Sequence, residues 1–246
     1  MNPKGKTALI TGGARRVGKA ITLALAQAGA NVVINYNASA DEAKVTLDEA
    51  RAFGVEGLAL QGDVADHLHV GAMVKTAVER FGGVDILVNS ASTWEKTPLP
   101  AEDVRAWQRV IDVNVHGPFY MTNAIAPIML AREGGVVVNI LDLFAWEPRR
   151  NFAAYSVSRA ALLAMTRQLA IDLAPLVRVN AVAPGPVLAP PEFSPERKTQ
   201  TASRTLLNRW GSPLDVAEAV LFLVRADYIT AEVIVVDGGE RFGRHK

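Results

Sequence analysis

The sequence alternates short apolar segments with longer segments of helical periodicity, and this alternation constrains the fold more than any other feature. The segments that we predict as strands are Thr7–Thr11, Asn31–Asn35, Gly57–Gln61, Val84–Val88, Gly135–Ile140, Val177–Ala181 and Glu232–Val236. The predicted helices begin near Val17, Asp41, Asp66, Ala101, Ala153 and Pro213. Strands that alternate with helices are typical of βαβ units, which build a parallel sheet covered by helices on both faces. The sequence therefore predicts the α/β class.

Nothing along the chain marks a second domain, so we predict one domain over residues 1–246. The chain has 246 residues, of which 50% are hydrophobic, and this is enough for one extensive core. One irregular stretch, from Pro184 to about Arg204, contains five prolines. Long loops of this kind often cover binding sites, and we predict a substrate lid at residues 186–205. A mobile surface loop is the equal alternative.

The composition narrows the possible partners. Lysine and arginine number 26 against 25 aspartates and glutamates, so no strong field draws the chain to nucleic acid or to an anionic membrane. There is no cysteine, which excludes disulfides, thiolate nucleophiles and cysteine metal sites. We find no apolar signal region before Thr7 and no apolar run of membrane-spanning length. We therefore expect a soluble cytoplasmic protein that acts on a small molecule and holds no metal.

The first predicted strand leads into a glycine-containing turn. In an open parallel sheet, ligands bind beyond the carboxyl ends of the strands, where helix N-termini converge. The turn and the helix that follows it supply the candidate cofactor-binding residues Gly12, Arg15, Arg16, Val17 and Gly18. Glycines here let a pyrophosphate approach the backbone, although such turns are also commonly structural.

The end of strand two lacks the carboxylate that an NAD-preferring site places against the ribose 2′-hydroxyl. The candidate residues at this strand end are Asn35, Tyr36, Asn37 and Ser39, and no carboxylate precedes Asp41. Arg15 and Arg16 lie in the neighbouring turn and can meet the 2′-phosphate of NADPH. We therefore expect NADPH as the cofactor. The alternative is that both arginines are solvated surface charges.

Three further strand ends carry small or hydrogen-bonding residues along the same rim. The candidates are Asp63 and Val64 after strand three, Asn89, Ser90 and Ala91 after strand four, and Pro184 and Gly185 after strand six. Each pair or triplet alone is ordinary turn chemistry, but their common position favours one long binding crevice.

A second group of polar residues suggests a catalytic centre. Tyr155 and Arg159 are four residues apart at the start of a helix, so their side chains project from one face, and the cation favours tyrosinate formation. Asp142 lies thirteen residues before Tyr155, and Asn114 lies in the long helix after strand four.

At this point the sequence resembles the short-chain dehydrogenase/reductase family over almost its whole length. The family's Thr-Gly-x3-Gly-x-Gly turn, Asn-Asn-Ala-Gly strand end and Tyr-x3-Lys pair correspond to Thr11–Gly18, Asn89–Ser92 and Tyr155–Arg159. The segments Asn208–Gly211 and Val236–Gly239 are also similar to that family. The resemblance implies a doubly wound, Rossmann-like sheet of seven parallel strands.

Departures from the family pattern point to one branch of it. Arg16 replaces the middle glycine, Asp142 stands where serine is usual, and Ser92 replaces the last glycine of its motif. Together they resemble the pteridine reductases, including dihydromonapterin reductases. That branch places an aromatic residue, here Trp94, where it stacks on the pterin ring. Against both family and branch, Arg159 replaces the lysine. The resemblance still implies that Tyr155 and Arg159 bind the cofactor, since a guanidinium can bond ribose hydroxyls.

The resemblance implies a mechanism and an assembly. NADPH delivers a hydride to a C=N carbon of a pterin or dihydropterin stacked on Trp94, and Tyr155, held by Asp142 and polarised by Arg159, donates the proton. Asn114 steadies a water or the helix backbone. The long helices around Asn114 and Tyr155 join subunits in a homotetramer, or else pack only within the subunit.

Two other functions stay open at this stage. A carbonyl reductase such as a 3-oxoacyl reductase needs only a tyrosine acid near a ketone. The other is a protein that binds the cofactor without turnover. Arg159 is the chief argument for it, because a guanidinium stays protonated and cannot relay a proton as an ammonium can.

Overall fold

The computed structural model describes residues 1–243, in which seven strands form one sheet. The strands are β1 (Thr7–Thr11), β2 (Asn31–Tyr36), β3 (Gly57–Gln61), β4 (Ile86–Asn89), β5 (Gly135–Ile140), β6 (Val177–Pro184) and β7 (Val233–Val236). All neighbouring strands are parallel, and their order across the sheet is β3-β2-β1-β4-β5-β6-β7. This is the doubly wound arrangement that the sequence analysis expects, with the chain reversing direction across the sheet between β1 and β4.

Helices cover both faces of the sheet. They are α1 (Arg16–Gln27), α2 (Ala40–Arg51), α3 (His67–Phe81), α4 (Arg105–Ile111), α5 (Gly117–Ala131), α6 (Ala153–Asp172), α7 (Pro195–Ser203), α8 (Pro213–Arg225) and α9 (Glu240–Gly243). None of the helices within residues 1–243 combines the length and apolar character needed to cross a bilayer.

Alternate residues of each central strand point into two separate cores, as the two-residue period of a strand requires. On one face, Ile10 and Val88 pack in a cluster with residues of α1, α2 and α8. On the other, Leu9 and Leu87 pack with residues of α3 and α5. Because both faces are buried, the strands are almost continuously apolar. This burial holds the carboxyl ends of β1 and β4 rigidly beside each other.

The predicted elements are found, with differences at their ends. β4 begins two residues later than predicted, and β6 continues beyond Ala181 because its last residues pair with β7 through Pro184. The helix predicted near Ala101 begins at Arg105, where Asp103 Oδ1 accepts a hydrogen bond from the Arg105 backbone N–H at 2.9 Å. This local side-chain bond lies one residue before the N-cap, Val104, and periodicity alone does not reveal it.

Two segments differ more from the prediction. The long helix after β4 contains a π-helical turn, Asp112–His116, which separates α4 from α5 and includes Asn114. The stretch predicted as irregular contains α7, which begins with Pro195 after an N-cap at Ser194, whose side chain accepts from the Arg197 N–H at 3.3 Å. Proline at the first helical position is favourable, so part of the proline-rich stretch is a helix start rather than a loop.

Candidate active site

Two glycines at the turn after β1 have no room for a side chain. A Cβ built on Gly18 would lie 2.1 Å from the Gly12 carbonyl oxygen, and one built on Gly12 would lie 3.0 Å from Ala91 Cα. Gly12 has φ +62°, the left-handed region that glycine adopts at low cost. Arg16, the first residue of α1, also has a left-handed φ, +55°. The glycines therefore bring α1 and the end of β4 against the turn.

A cavity of about 710 Å³ lies over this turn and along the strand ends. It brings together thirteen of the residues predicted to bind the cofactor, namely Gly12, Arg15, Arg16, Val17, Gly18, Asn35, Tyr36, Asn37, Ser39, Asp63, Val64, Ser90 and Ala91. Ala38, Gly62, Thr93, Val113 and Glu192 also line it and were not predicted. We call it the first cavity.

Two buried side chains hold the walls of the first cavity in place. Asn35 accepts from the Gly12 N–H at 3.4 Å and donates to the Gly62 carbonyl at 2.9 Å, which ties the ends of β1, β2 and β3 together. Thr11 Oγ1 accepts from the backbone N–H groups of Ser90 and Ala91 at 3.0 Å each. Asn35 therefore shapes the cavity with its amide already engaged.

One corner of the first cavity is positively charged. Arg15 and Arg16 are exposed there, beside Asn37 and Ser39, and neither arginine forms an ion pair with any residue of the described part of the chain. Asp63 also lines the cavity, and its Oδ1 accepts from the Ala65 N–H at 2.9 Å. This corner, which we call the arginine corner after Arg15 and Arg16, suits a dianionic group.

Asn89 does not line the first cavity, which corrects its predicted role. Its Nδ2 donates to Asn139 Oδ1 at 2.9 Å and to Thr122 Oγ1 at 3.3 Å, and Asn139 in turn donates to Thr166 Oγ1 at 2.9 Å. All four side chains are buried. Unpaired buried amides are costly, so this chain of hydrogen bonds holds β4, β5 and their helices together instead of meeting a ligand.

Tyr155 and Asp142 form the centre that the sequence predicted. The Tyr155 hydroxyl donates to Asp142 Oδ2 at 3.3 Å, and Asp142 Oδ1 accepts from the Phe144 N–H at 3.0 Å. The Tyr155 ring meets the Phe144 ring edge-on at 5.1 Å. Asp142 comes from the segment after β5, whereas Tyr155 lies in the first turn of α6. Only the parallel pairing of the sheet brings them together.

Burial raises the pKa of both groups of this pair. It raises the pKa of Tyr155 to about 12, with the Arg159 charge opposing the shift and the Asp142 charge adding to it. Burial also raises the pKa of Asp142, against the stabilising effects of the Phe144 N–H and of the charges on Arg159 and Arg149. Tyr155 is therefore an acid that keeps its proton at neutral pH.

Arg159 is buried behind Tyr155 and bound on both sides. One terminal nitrogen donates to the Ile140 carbonyl at 3.1 Å, the other donates to Ser92 Oγ, and the guanidinium carbon lies 4.7 Å from the centre of the Tyr155 ring. Its Nε is buried and has no hydrogen-bond partner in the described part of the chain. Neither Tyr155 nor Arg159 lines a cavity described here. The predicted contact of this guanidinium with ribose hydroxyls thus competes with its protein partners.

Asn114 ties the segment after β4 to α6. Its Oδ1 accepts from the Thr93 N–H at 2.9 Å, and its Nδ2 donates to the Thr93 carbonyl at 3.0 Å and to Ser158 Oγ at 3.2 Å. Asn114 is fully buried within the π-helical turn. Its amide positions backbone next to Trp94, in keeping with the expectation that it does not touch substrate.

A second cavity, of about 210 Å³, lies beside Asp142 under α7. Trp94 and Asp142, predicted to contact the substrate, line it. Pro184 and Gly185, predicted to bind the cofactor, line this cavity and not the first. The sequence analysis did not single out Arg149, Trp210 and Glu240, which also line it, and it included Phe193, Arg197 and Arg204 only as part of the predicted lid at 186–205. The helical spacing of Arg197 and Arg204, seven residues apart within the proline-rich stretch, was the available signal.

Trp94 lies where the two cavities meet and lines both. Its ring stacks on Phe152 with centroids 4.9 Å apart and planes 8° apart, and the residue is 47% exposed. One face of the indole is thus covered by protein. Stacking of a substrate, as predicted, is limited to the other face and the edges.

Known proteins resemble this chain over nearly its whole length. A family profile described as Enoyl-(Acyl carrier protein) reductase matches residues 12–240. The 3-oxoacyl-(acyl-carrier-protein) reductase FabG of Staphylococcus epidermidis is 36% identical over 239 residues, covering 95% of this chain and 98% of the relative.

Two solved structures show the same likeness. A mutant of a Serratia marcescens short-chain dehydrogenase/reductase has a TM-score of 0.91 and 32% identity, covering 98% of this chain and 99% of that one. A blue fluorescent protein from a metagenomic library, in complex with NADPH, has a TM-score of 0.89 and 34% identity, with coverage of 98% and 99%. The narrower resemblance to pteridine reductases gains no support from these proteins.

Proposed function

This chain belongs to the short-chain dehydrogenase/reductase family, and on that premise we propose that it is an NADPH-dependent reductase of a small 3-oxoacyl compound. The observation that carries the proposal is the hydrogen bond of 3.3 Å that the Tyr155 hydroxyl donates to Asp142, which lines the second cavity. NADPH, held by the residues of the first cavity, would supply the hydride for the 3-oxo carbon. Tyr155 supplies the proton to the carbonyl oxygen, and the product is a hydroxyl compound.

The first cavity supports the placement of the cofactor. Gly12 and Gly18 leave the backbone open where α1 begins, and a helix N-terminus favours phosphate groups. The unpaired Arg15 and Arg16 support a 2′-phosphate at the same corner. The NADPH in the similar blue fluorescent protein agrees with this choice. The nicotinamide end would then lie toward Ser92 and Trp94, next to the second cavity.

The 3-oxoacyl substrate is supported by the FabG relative, whose name states that class and which matches 95% of this chain. The chain differs from the family pattern in two groups of the centre, Asp142 for serine and Arg159 for lysine. Asp142 accepts the Tyr155 hydrogen bond that keeps the acid oriented. In the proposed mechanism Tyr155 is therefore the only proton donor to substrate, and Asp142 and Arg159 position it.

A second candidate, reduction of a C=N bond in a pterin or dihydropterin, is favoured by two residues at the second cavity. Asp142 can accept hydrogen bonds from ring nitrogens, and the exposed face of Trp94 can stack on a flat heterocycle. The Tyr155 acid would serve this reaction as well, with the proton delivered to nitrogen.

A substrate panel separates the two candidates. Wild-type protein is expected to oxidise NADPH faster with acetoacetyl thioester than with dihydropterin, measured as kcat/KM for each compound. If the pterin is the true substrate, the order reverses. Trp94→Ala should then raise the KM for dihydropterin about 5- to 100-fold, since base stacking contributes roughly 1–3 kcal/mol. Trp94→Phe, which keeps a stacking ring, is the matched control, and NADPH affinity should stay the same in both variants.

The arginine corner predicts that NADPH binds more tightly than NADH. Removing Arg16 should weaken NADPH binding about tenfold or more and NADH binding much less, because a hydrogen bond to a charged group contributes roughly 1.5–3 kcal/mol. Arg16→Gly is the suitable variant, since Arg16 has φ +55° and glycine adopts that conformation without strain. Fluorescence titration of both cofactors measures the effect. Equal affinity of the wild type for NADPH and NADH would contradict the assignment.

The homotetramer and the cytoplasmic location stay predictions. Exposed apolar side chains on two neighbouring helices support the assembly, namely Phe119 on α5 and Val157 and Ile171 on α6, which are 45%, 48% and 70% exposed. Apolar patches of this kind are typical of subunit interfaces.

A further inference from the structure

The wall of the second cavity that α7 forms carries an unusual charge pattern. Arg197, Gln200, Thr201 and Arg204 line the cavity. Their spacing of three, four and seven residues places them on one face of a helix. This face is polar and cationic from end to end. If α7 packed against an acyl chain, apolar side chains would be needed in these positions.

The two lid arginines lack protein counter-charges. The negative side chains at the second cavity are Asp142 and Glu240. Glu240 Oε1 lies 3.4 Å from Arg149 Nη2, and Asp142 is stabilised by the charge of Arg159. Within residues 1–243, Arg197 and Arg204 have no carboxylate within ion-pair distance. The carboxylates at the cavity thus already have positively charged neighbours. The charges of Arg197 and Arg204 therefore remain over the cavity without a counter-charge in the described residues.

Contacts of Trp210 and Phe193, which also line the cavity, hold α7 in place. Trp210 Nε1 donates to the Lys198 carbonyl at 2.9 Å, and the Trp210 ring meets Phe193 edge-on at 6.5 Å. The Arg197 guanidinium lies 3.8 Å from the centre of the Phe193 ring, a cation–π distance. These contacts orient α7 and restrict the Arg197 side chain before any ligand binds, which lowers the entropic cost of binding.

We propose that the second cavity binds a compact substrate that carries its own carboxylate or phosphate group, and that Arg197 and Arg204 hold this group. The inference rests on the proposed reductase function, because it names the class of 3-oxo compound that this site reduces. The volume of about 210 Å³ is small for a ligand pocket, typically 300–1,000 Å³, and favours a short substrate. The anionic group then lies under α7, and the carbonyl lies toward Asp142.

Calorimetry with a compound that cannot be reduced tests the anion site separately from turnover. Malonate should bind the protein loaded with NADP⁺, whereas the neutral malonamide should bind at least about tenfold more weakly, because charge-assisted bonds are lost. Phosphonoacetate in a parallel titration tells whether a phosphate-type or a carboxylate group is preferred. The binding of malonate should weaken with increasing KCl, as screened charges require.

The decisive variant is the double change Arg197→Gln and Arg204→Gln, which should reduce malonate affinity about tenfold or more and leave NADP⁺ affinity unchanged. Lys198→Gln is the control, since it removes one positive charge from α7 at a residue that does not line the cavity. Unchanged malonate affinity in the double variant, an equal loss in Lys198→Gln, or equal binding of malonamide would overturn the proposal.

Turnover distinguishes this inference from the function on which it rests. With NADPH, acetoacetate should have a KM at least about tenfold lower than acetoacetamide in the wild type, and this difference should vanish in the double variant. If no 3-oxo compound is reduced but malonate binding follows the arginines, the reductase function fails and the anion site stands. If both compounds are reduced with equal KM, the reductase function stands and the anion site fails.

Discussion

Tyr155→Phe is expected to reduce the rate of NADPH-dependent reduction by about 10²–10⁴-fold, the range that a positioned general acid contributes. In the proposed mechanism the hydroxyl is the proton donor, since Asp142 accepts from it and Arg159 is bound to Ile140 and Ser92. The ring contact with Phe144 at 5.1 Å survives the change, so the fold and the cofactor site should be preserved. The measurement is kcat at saturating NADPH and substrate.

The pH dependence of the wild type checks the same assignment. Tyr155 has a pKa of about 12, so the proton donor is intact below that value and is lost as the pH rises through it. Reduction should therefore show no decline from neutral to mildly alkaline pH. Asp142→Asn removes a negative charge that raises the pKa of Tyr155, and should move the alkaline loss of activity to lower pH.

NADPH affinity is the control for Tyr155→Phe, and it should match that of the wild type. If the variant reduces substrate at the wild-type rate, the proton comes from another group and the proposed mechanism is wrong. If affinity and rate fall together, the change has disturbed the cofactor site and the rate says nothing of the proton.

Arg159→Met is expected to give the second largest loss, roughly 10²-fold in kcat. The Arg159 charge opposes the rise in the pKa of Tyr155, so its removal should raise that pKa further and make the transition state, in which the tyrosine gives up its proton, less favourable. Arg159 is 2% exposed, and its loss also leaves the Ile140 carbonyl without its donor. A thermal unfolding measurement is therefore needed beside the kinetics, since an unpaired buried acceptor costs about 1–3 kcal/mol.

Arg159→Lys is the matched variant, and it should keep or increase the wild-type activity. Lysine retains the positive charge beside Tyr155 but has one donor centre instead of a planar fork, so it cannot hold both Ile140 and Ser92 as the guanidinium does. The space beside Ser92 would open toward the first cavity, and an ammonium can exchange protons.

The pair of variants also decides between an enzyme and a cofactor-binding protein without turnover. A wild type that binds NADPH and reduces no compound of the panel, together with an active Arg159→Lys, would establish the binding protein. Equal activity of the wild type and Arg159→Met would show that Arg159 has no part in catalysis.

Local features of the sequence were sufficient to predict much of the fold. The bounds of β1, β3 and β5 agree with the prediction because each is a short, mainly apolar run that begins with threonine or glycine. The bounds of β6 do not, because Pro184 belongs to the strand only through its pairing with Val236 on β7. The helix that we predicted to begin near Ala101 begins at Arg105 instead, where the Asp103 side chain accepts a hydrogen bond from the Arg105 N–H.

The sequence by itself determined the alternation of strands and helices, the glycine turn and the polar strand ends, because these follow from neighbours within a few residues. It also placed thirteen predicted cofactor residues on one rim, since parallel strands must end on the same side of a sheet. The sequence did not determine which of the side chains at the strand ends face the rim. The Asn89 side chain is buried because its Nδ2 donates to Asn139 and Thr122, which belong to other elements.

Only the tertiary structure decided the pKa of Tyr155 and the charge that α7 places over the second cavity. Tyr155 is a weak acid because chain segments distant in sequence bury it, and burial is the largest cause of its raised pKa. Arg159 reaches Ser92, which is 67 residues away, only because β4 and β5 are adjacent. Arg197 and Arg204 became binding candidates once α7 was folded over Asp142. Desolvation, charge pairing and long-range hydrogen bonds depend on which residues distant in sequence are in contact. Local periodicity does not determine those contacts.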